Sequence, residues 1–393
     1  MFKFSGDLLA SKSWMNRALI LQSWNPAISI QGSSLADDVV RLQKSLIDWR
    51  NGQTTFDAGH GGTTFRFLAV RLSREPGRYF IKASPALIKR PQKDLIDFLE
   101  SVGVRSYLKS DGLDIHSDGW RNTGLPIFVN TENSSQFISA VLLSSINLPF
   151  RLVLQLSNHV ISESYLQMTL ALLRQVGVDI HVDNHTLTLP AGLKAESTVL
   201  KTELDVSSAF SLICAAVIGG DVTITNWSVN SSQPDLVFLK IFDQMQINYQ
   251  ISGSQFVIKK QSSFIGTEFN IGDSPDLFPV LCVLSAFAQT PSRFFGAPHL
   301  KYKESDRLEK TSELLQLCGI EHEVLEDGMI IQPFTGERPK ESITFDPADD
   351  HRMAMAAALL KLGHYPIDIR HPEVVQKSYP DFFKHINLTA AAL

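Results

Sequence analysis

A device that recurs six times limits the possible folds of this chain more than any other feature of its sequence. Each time, a short polar or glycine cluster precedes a helical stretch that is apolar nearly all round. The first three copies are Ser11-Lys12-Ser13, Gly61-Gly62-Thr63-Thr64 and Ser134-Ser135-Gln136. The others are Ser207-Ser208, Ser274-Pro275-Asp276 and Asp349-Asp350-His351-Arg352. Taking residues 13, 62, 135, 207, 275 and 350 as markers, four of the five intervals lie near 70 residues. A helix that is apolar on every side has to be enclosed by other structure. Ser, Thr and Asp are the favoured N-cap residues, so each buried helix is expected to begin in a capped, polar first turn.

More amphipathic helical patterns lie between these, at 92–102, 164–176, 236–245 and 306–317, and alternating strand patterns follow at 178–189 and 247–258. The repeating unit is strand, buried helix, strand, surface helix, strand. At 393 residues and 44% hydrophobic composition, two or three domains are expected. A net charge of -5 gives no global attraction for nucleic acid, so any anion site has to be local. Cys214, Cys282 and Cys318 stand singly in apolar runs, which suits buried thiols and no disulfide framework. The longest charge-free apolar run, 277–288, is too short to span a bilayer, and the first residues lack a signal-peptide core. A soluble cytoplasmic protein is expected. His181 and His185 fall in a strand–turn–strand without a further ligand cluster, so no metal is expected there.

Several helix starts with free N–H groups could hold anions without any P-loop, since G-x-x-x-x-G-K-[ST] is absent. Charged residues gather at those same starts: Lys12 and Arg17, Arg66, Asp276, Asp350 and Arg352. Lys303-Glu304-Ser305-Asp306-Arg307 is the densest group, and it is expected to open the helical pattern that follows. Taken singly, each of these is an ordinary cap or a solvated charge. Taken together, carboxylates set among cations are what acid–base chemistry on a phosphorylated acid requires.

The segments SKSWMNRALIL, GHGGTTFRFL, KRPQKDLIDFLESVGV, SSQFISAVLL, SYLQMTLALL, KYKESDRLEK, DDHRMAMAAALL and KSYPDFF occur in this order between Ser11 and Phe383. In that order they resemble the 5-enolpyruvylshikimate-3-phosphate synthases, the 3-phosphoshikimate 1-carboxyvinyltransferase family. The resemblance implies an α/β fold of two similar domains, each of three βαβαββ units with buried helices, an inside-out α/β barrel. It places one domain at 12–204 and the other at 1–11 with 205–393, with a hinge near Ser11 and Asp205 that closes on substrate.

It also implies transfer of the enolpyruvyl group of phosphoenolpyruvate to the 5-hydroxyl of shikimate 3-phosphate with release of phosphate, on the route to chorismate and the aromatic amino acids. No metal or organic cofactor is implied, nor any nucleic acid or membrane partner, and the protein is expected to be a monomer. Carried over by motif, Ser13, Arg17, Ser134, Ser135, Gln136, Ser162, Tyr165, Asp276 and Lys303 bind shikimate 3-phosphate. Lys12, Gly62, Thr63, Arg90, Gln136, Arg307, Arg352 and Lys377 bind phosphoenolpyruvate. Asp276, Glu304 and Lys12 carry the catalysis. The sequence departs from the family pattern at His60, Phe67, Glu163 and His299. The alternatives are enolpyruvyl transfer to UDP-N-acetylglucosamine or a secondary metabolite, and a non-catalytic phosphometabolite binder. Against UDP-N-acetylglucosamine as the acceptor, Ser13 follows Lys12 and no cysteine precedes Cys214.

Overall fold

All six apolar stretches are helices, at Lys12–Trp24, Gly62–Leu72, Gln136–Ser144, Val206–Gly219, Phe278–Ser285 and His351–Leu362. The computed structural model describes residues 1–132, 134–158 and 160–388. These divide into two compact units, residues 10–202 and residues 1–9 with 203–393. Each unit holds three of the six helices at its centre, and every residue of the Phe278–Ser285 helix is buried. Each unit also has its own continuous hydrophobic core.

The sheets lie around the helices and repeat one plan. The strand Thr55–Asp57 runs parallel to Gly77–Lys82, with Phe56 opposite Ile81. Gly77–Lys82 then pairs antiparallel with Gly112–Ser117, whose other neighbour is Arg105–Lys109. The same order, one parallel and two antiparallel pairings, is found around Leu152–Leu156, Gly220–Ile224 and Ser292–Phe295. Each unit adds one two-stranded parallel pair, Ser29–Gln31 with Val199–Lys201 and Ile343–Phe345 with Ile367–Ile369. This is the βαβαββ plan, three times per unit, with the third copy reduced. The strand Phe2–Gly6 pairs with Gly220–Ile224, so the chain starts in one unit, builds the other and returns.

The buried helices differ in how they start. Ser11, Asp205 and Asp350 accept a backbone N–H of their own helix, as N-cap side chains should. The other three, begun by Gly61, Ser135 and Leu277, have no side-chain cap, which corrects the expectation of six capped starts. Glycine has no side chain to offer. Ser135 is itself in helical conformation, and its neighbour Ser134 accepts the Gln136 N–H at 3.2 Å. Pro279 in the first turn of the third removes one N–H that would need a partner.

In the 10–202 unit the far ends of the helices meet around two arginines. Arg74 donates to the carbonyls of Ser144 and Ile146, the latter at 2.9 Å. The Arg71 guanidinium lies 3.6 Å from the Trp24 ring centroid and 4.5 Å from that of Trp49. Trp24 in turn donates to the Leu143 carbonyl at 2.9 Å. Cys214, Cys282 and Cys318 are free and buried in the other unit. Among the described residues, no helix is long and apolar enough to cross a membrane.

Candidate active site

In the 1–9 and 203–393 unit, one guanidinium organises the expected residues. Arg307 is completely buried and spends all five N–H donors on protein groups. Its Nε donates to Asp350 Oδ2 at 2.8 Å, and Nη2 reaches Asp350 Oδ1 at 3.4 Å. Nη1 donates to Asp276 Oδ1 at 2.7 Å and to the Pro275 carbonyl at 3.2 Å. Nη2 also donates to Glu304 Oε2 at 3.0 Å. The other Glu304 oxygen accepts from Lys377 Nζ at 2.9 Å. Arg352 lies 3.6 Å from Asp276 Oδ2, and its guanidinium donates to both the carbonyl and the hydroxyl of Ser207. Asp276, Glu304, Arg307, Arg352 and Lys377, five of the six residues expected in this unit, thus form one network. Lys303, the sixth, acts on Asp276 through its charge.

Local sequence explains the placement. Asp276 sits just before the Phe278–Ser285 helix and Arg352 is the second residue of the His351–Leu362 helix, so both project from helix starts. Lys303 to Asp306, however, lie ahead of the helix, which begins at Arg307 after a 3-10 turn at Pro298–Tyr302. The Asp306 carboxylate accepts the N–H groups of Leu308 and Glu309, both at 3.1 Å. The expectation of an open, anion-ready helix start at this motif is therefore corrected, because a carboxylate of the chain already fills it. Asp350 does the same for the His351–Leu362 helix, at 2.9 Å from the Arg352 N–H.

The electrostatics follow from this geometry. Burial works against both charges of the central pair. For Arg307 the neighbouring Asp350, Asp276 and Glu304 overcome it and raise the guanidinium well above its ordinary value. For Asp276, burial pushes the carboxyl up, but Arg307 and Arg352 prevail and hold it well below the usual carboxylate range. Asp235, which the sequence did not single out, is affected the other way. Burial and the nearby Asp276 raise its carboxyl to about 8, against the pull of Arg352.

In the 10–202 unit, the remaining expected residues other than Arg90 stand in the first turns of helices or just before them. Lys12, Ser13 and Arg17 begin the Lys12–Trp24 helix, and Gly62 and Thr63 begin Gly62–Leu72. Ser134, Ser135 and Gln136 stand at the start of Gln136–Ser144, and Ser162 and Tyr165 at that of Glu163–Gln175. Arg90 closes the short helix Pro85–Lys89 and covers Gly62, where an added Cβ would lie 3.0 Å from its Nη1. Arg17 is buried and reaches across helices. It donates to Thr169 Oγ1 at 2.8 Å, Ser13 O at 2.8 Å, Tyr165 O at 3.2 Å and Ser139 Oγ at 3.4 Å. These partners are hydroxyls and carbonyls, and burial pushes Arg17 down to about 10. Arg66 Nη1 donates to Gln136 Oε1 at 2.6 Å.

The two units thus treat charge differently. In one, carboxylates of the chain match Arg307; in the other, neutral groups surround Arg17, and the starts at Gly61 and Ser135 carry no acidic cap. Sequence reasoning also passed over Asp38, on the helix Asp37–Arg50, whose Oδ2 lies 3.1 Å from Lys12 Nζ. An acidic pair opening a surface helix gives no sign that one member points inward.

Comparison with known proteins agrees over nearly the whole chain. The family model for EPSP synthase (3-phosphoshikimate 1-carboxyvinyltransferase) matches residues 30–386. A 3-phosphoshikimate 1-carboxyvinyltransferase of Syntrophobacter fumaroxidans is 31% identical over 95% of this chain and 94% of its own length. The enzyme of that name from Methanoculleus marisnigri is 32% identical over 85% of this chain and 79% of its own. In fold, the chain is similar to EPSP synthase from Acinetobacter baumannii, with TM-score 0.73 and 21% identity, covering 98% and 95% of the two chains. The enolpyruvyl transferase NikO from Streptomyces tendae gives TM-score 0.71 at 16% identity, covering 98% and 94%. With its repeated βαβαββ units, its acid–base network around Arg307 and this agreement from end to end, the chain belongs to the EPSP synthase (3-phosphoshikimate 1-carboxyvinyltransferase) family.

Proposed function

We propose that this protein transfers the enolpyruvyl group of phosphoenolpyruvate to the 5-hydroxyl of shikimate 3-phosphate and releases inorganic phosphate, in aromatic biosynthesis. Beyond family membership, one observation supports the reading most: Asp276 and Glu304 sit on the same buried guanidinium, with Lys377 and Arg352 as the outer cations. A metabolite binder has no use for two carboxylates in an anion site; a proton-transfer enzyme does.

The roles follow from the chemistry. A proton from the Glu304 carboxyl goes to the methylene carbon of phosphoenolpyruvate, leaving its central carbon electron-poor. The 5-hydroxyl oxygen attacks that carbon, and its proton passes to Asp276. In the second half, Glu304 takes a proton back from the new methyl group, the double bond re-forms and the carbon–oxygen bond to phosphate breaks. The Lys12 ammonium stabilises the departing phosphate. Arg307, Arg352, Lys377, Arg90 and the Gly62–Thr63 turn hold phosphoenolpyruvate. Arg17, Ser13, Ser134, Ser135, Gln136, Ser162, Tyr165 and Lys303 hold shikimate 3-phosphate. Arg forks suit carboxylate and phosphate oxygens.

Because Arg307 has no spare donor in this form, the substrate anion has to take the place of Asp276 or Glu304 on it. Displacement frees a carboxylate from the cation that suppresses its basicity, so substrate arrival itself prepares the base. The reading includes a cytoplasmic monomer that needs no cofactor. The test is phosphate release from phosphoenolpyruvate by purified protein, with and without shikimate 3-phosphate and with other hydroxy acids as controls. Release that depends on shikimate 3-phosphate is expected. Binding of both compounds without release means a binder and not an enzyme.

A further inference from the structure

The helix Asp37–Arg50 has no assigned part in the site, yet its second residue reaches into it. Asp38 is 2% exposed. Its Oδ2 stands 3.1 Å from Lys12 Nζ. Its other oxygen, Oδ1, is buried and accepts no hydrogen bond among the described residues. That oxygen presses on the glycine turn: a Cβ added to Gly61 would lie 2.6 Å from it. The Asp38 carbonyl accepts from Thr64 Oγ1 at 2.7 Å, so its backbone is tied to the same turn.

Other charges around it are spoken for or point elsewhere. Arg41, one turn further along the helix, pairs with Asp37 and Asp57, both at 2.6 Å. Arg90 covers the neighbouring Gly62. What faces Asp38 is therefore Lys12 from one helix and the uncapped, positive start of Gly62–Leu72 from another. A buried carboxylate short of hydrogen bonds is costly unless a charge compensates it, and Lys12 is that charge.

We propose that Asp38 is the positioning residue for Lys12, holding its ammonium beside the Gly61–Thr64 turn, where the phosphate of phosphoenolpyruvate is seated. The proposal rests on the catalytic reading above. A lysine head on a four-carbon stem samples many rotamers, and a fixed buried anion selects one of them before the substrate arrives. Because Thr64 binds the Asp38 backbone, the cation and the glycine turn are held in one frame.

The experiment is a double-mutant cycle with Asp38→Asn, Lys12→Met and the pair, read by phosphate release and by melting temperature. Asp38→Asn is expected to lower kcat/KM for phosphoenolpyruvate by about 10- to 100-fold, the range typical of partners that orient a reacting group. In the Lys12→Met background the same change is expected to cost nothing further. Losses that multiply in the double variant overturn the proposal, as does a wild-type rate for Asp38→Asn. Should Asp38→Asn fail to fold, Asp38→Glu keeps the charge but misplaces it, and the same lack of additivity is expected. The wild-type rate, measured first, tells failure of the catalytic reading from failure of this one.

Discussion

Arg307 Nε lies 2.8 Å from Asp350 Oδ2, and neither side chain has any exposure to solvent. Asp350 also caps the helix that carries Arg352 and accepts from Ser305 Oγ at 3.2 Å. One carboxylate thereby fixes a guanidinium, a helix start and the loop that bears Glu304. Cap and charge can be separated by substitution. Asp350→Asn retains a good N-cap but loses the anion; Asp350→Ala loses both. Asp350→Ala is expected to cost roughly 3–5 kcal/mol, the penalty for stripping one partner from a buried pair. Asp350→Asn should cost clearly less while still raising KM for phosphoenolpyruvate. Denaturant unfolding and steady-state kinetics check the two effects, and equal stability losses would show that the cap contributes nothing.

Glu304→Gln removes the proposed proton donor and leaves the shape unchanged. Turnover is expected to fall by about 100- to 10,000-fold, the usual worth of a positioned acid or base. Binding of shikimate 3-phosphate, followed by calorimetry, should stay close to the wild-type value. Undiminished turnover would remove Glu304 from the mechanism.

Asp276→Asn gives an outcome of opposite sign for affinity. On the proposed reading the carboxylate occupies Arg307 and Arg352 in place of a substrate anion, so its removal should tighten binding of inorganic phosphate by about tenfold, the scale of one charge-assisted contact. Turnover should fall at the same time. Weaker phosphate binding in this variant would show that Asp276 does not occupy the anion seat.

The Asp235 carboxyl, raised to about 8 by burial and by Asp276, makes stability depend on pH. Between roughly pH 4 and pH 8 the folded protein keeps a proton that the unfolded chain, with an Asp value near 3.9, has lost. Stability therefore declines as pH rises through that window. Asp235→Asn carries no such proton and should flatten the decline, gaining on the wild type at pH 8 relative to pH 5. Parallel melting curves for the two proteins across this range would contradict the assignment.

Gly62→Ala probes the turn under Arg90. The added Cβ would stand 3.0 Å from Arg90 Nη1, so the guanidinium has to move by a few tenths of an ångström. Since the contact is with the end of a flexible side chain, melting temperature should hardly change, while KM for phosphoenolpyruvate rises. A large loss of stability with unchanged KM would place Gly62 outside the site.

The repeat was legible in the sequence because a helix apolar on all sides leaves an unmistakable trace, and the six buried helices lie where that trace predicts them. The charged motifs were legible through order and resemblance. What pattern could not show was where the charges point. In Lys303 to Arg307 the residues read as one helix start, yet Asp306 is the cap and Arg307 the first helical residue, turned fully inward. Asp38 and Asp235 look like any acidic residue at the start of a surface helix, and their burial arises from packing between segments far apart in the chain. Periodicity finds faces; it does not find partners.

The two arginines at the far end of the 10–202 unit have a consequence of their own. Three helices with their starts gathered at one end place like poles side by side, an arrangement that repels itself. At the negative poles Arg74 donates to the Ser144 and Ile146 carbonyls, and Arg71, stacked on Trp24 and Trp49, adds a second cation that Glu75 partly balances. The positive poles are met by other means: the Asp38 carboxylate stands against Gly61, and the Ser134 hydroxyl accepts the Gln136 N–H. One end of the unit is therefore served by cations and the other by a buried carboxylate beside Lys12, so on the proposed reading an arriving phosphate shares its seat with an anion the protein already keeps there.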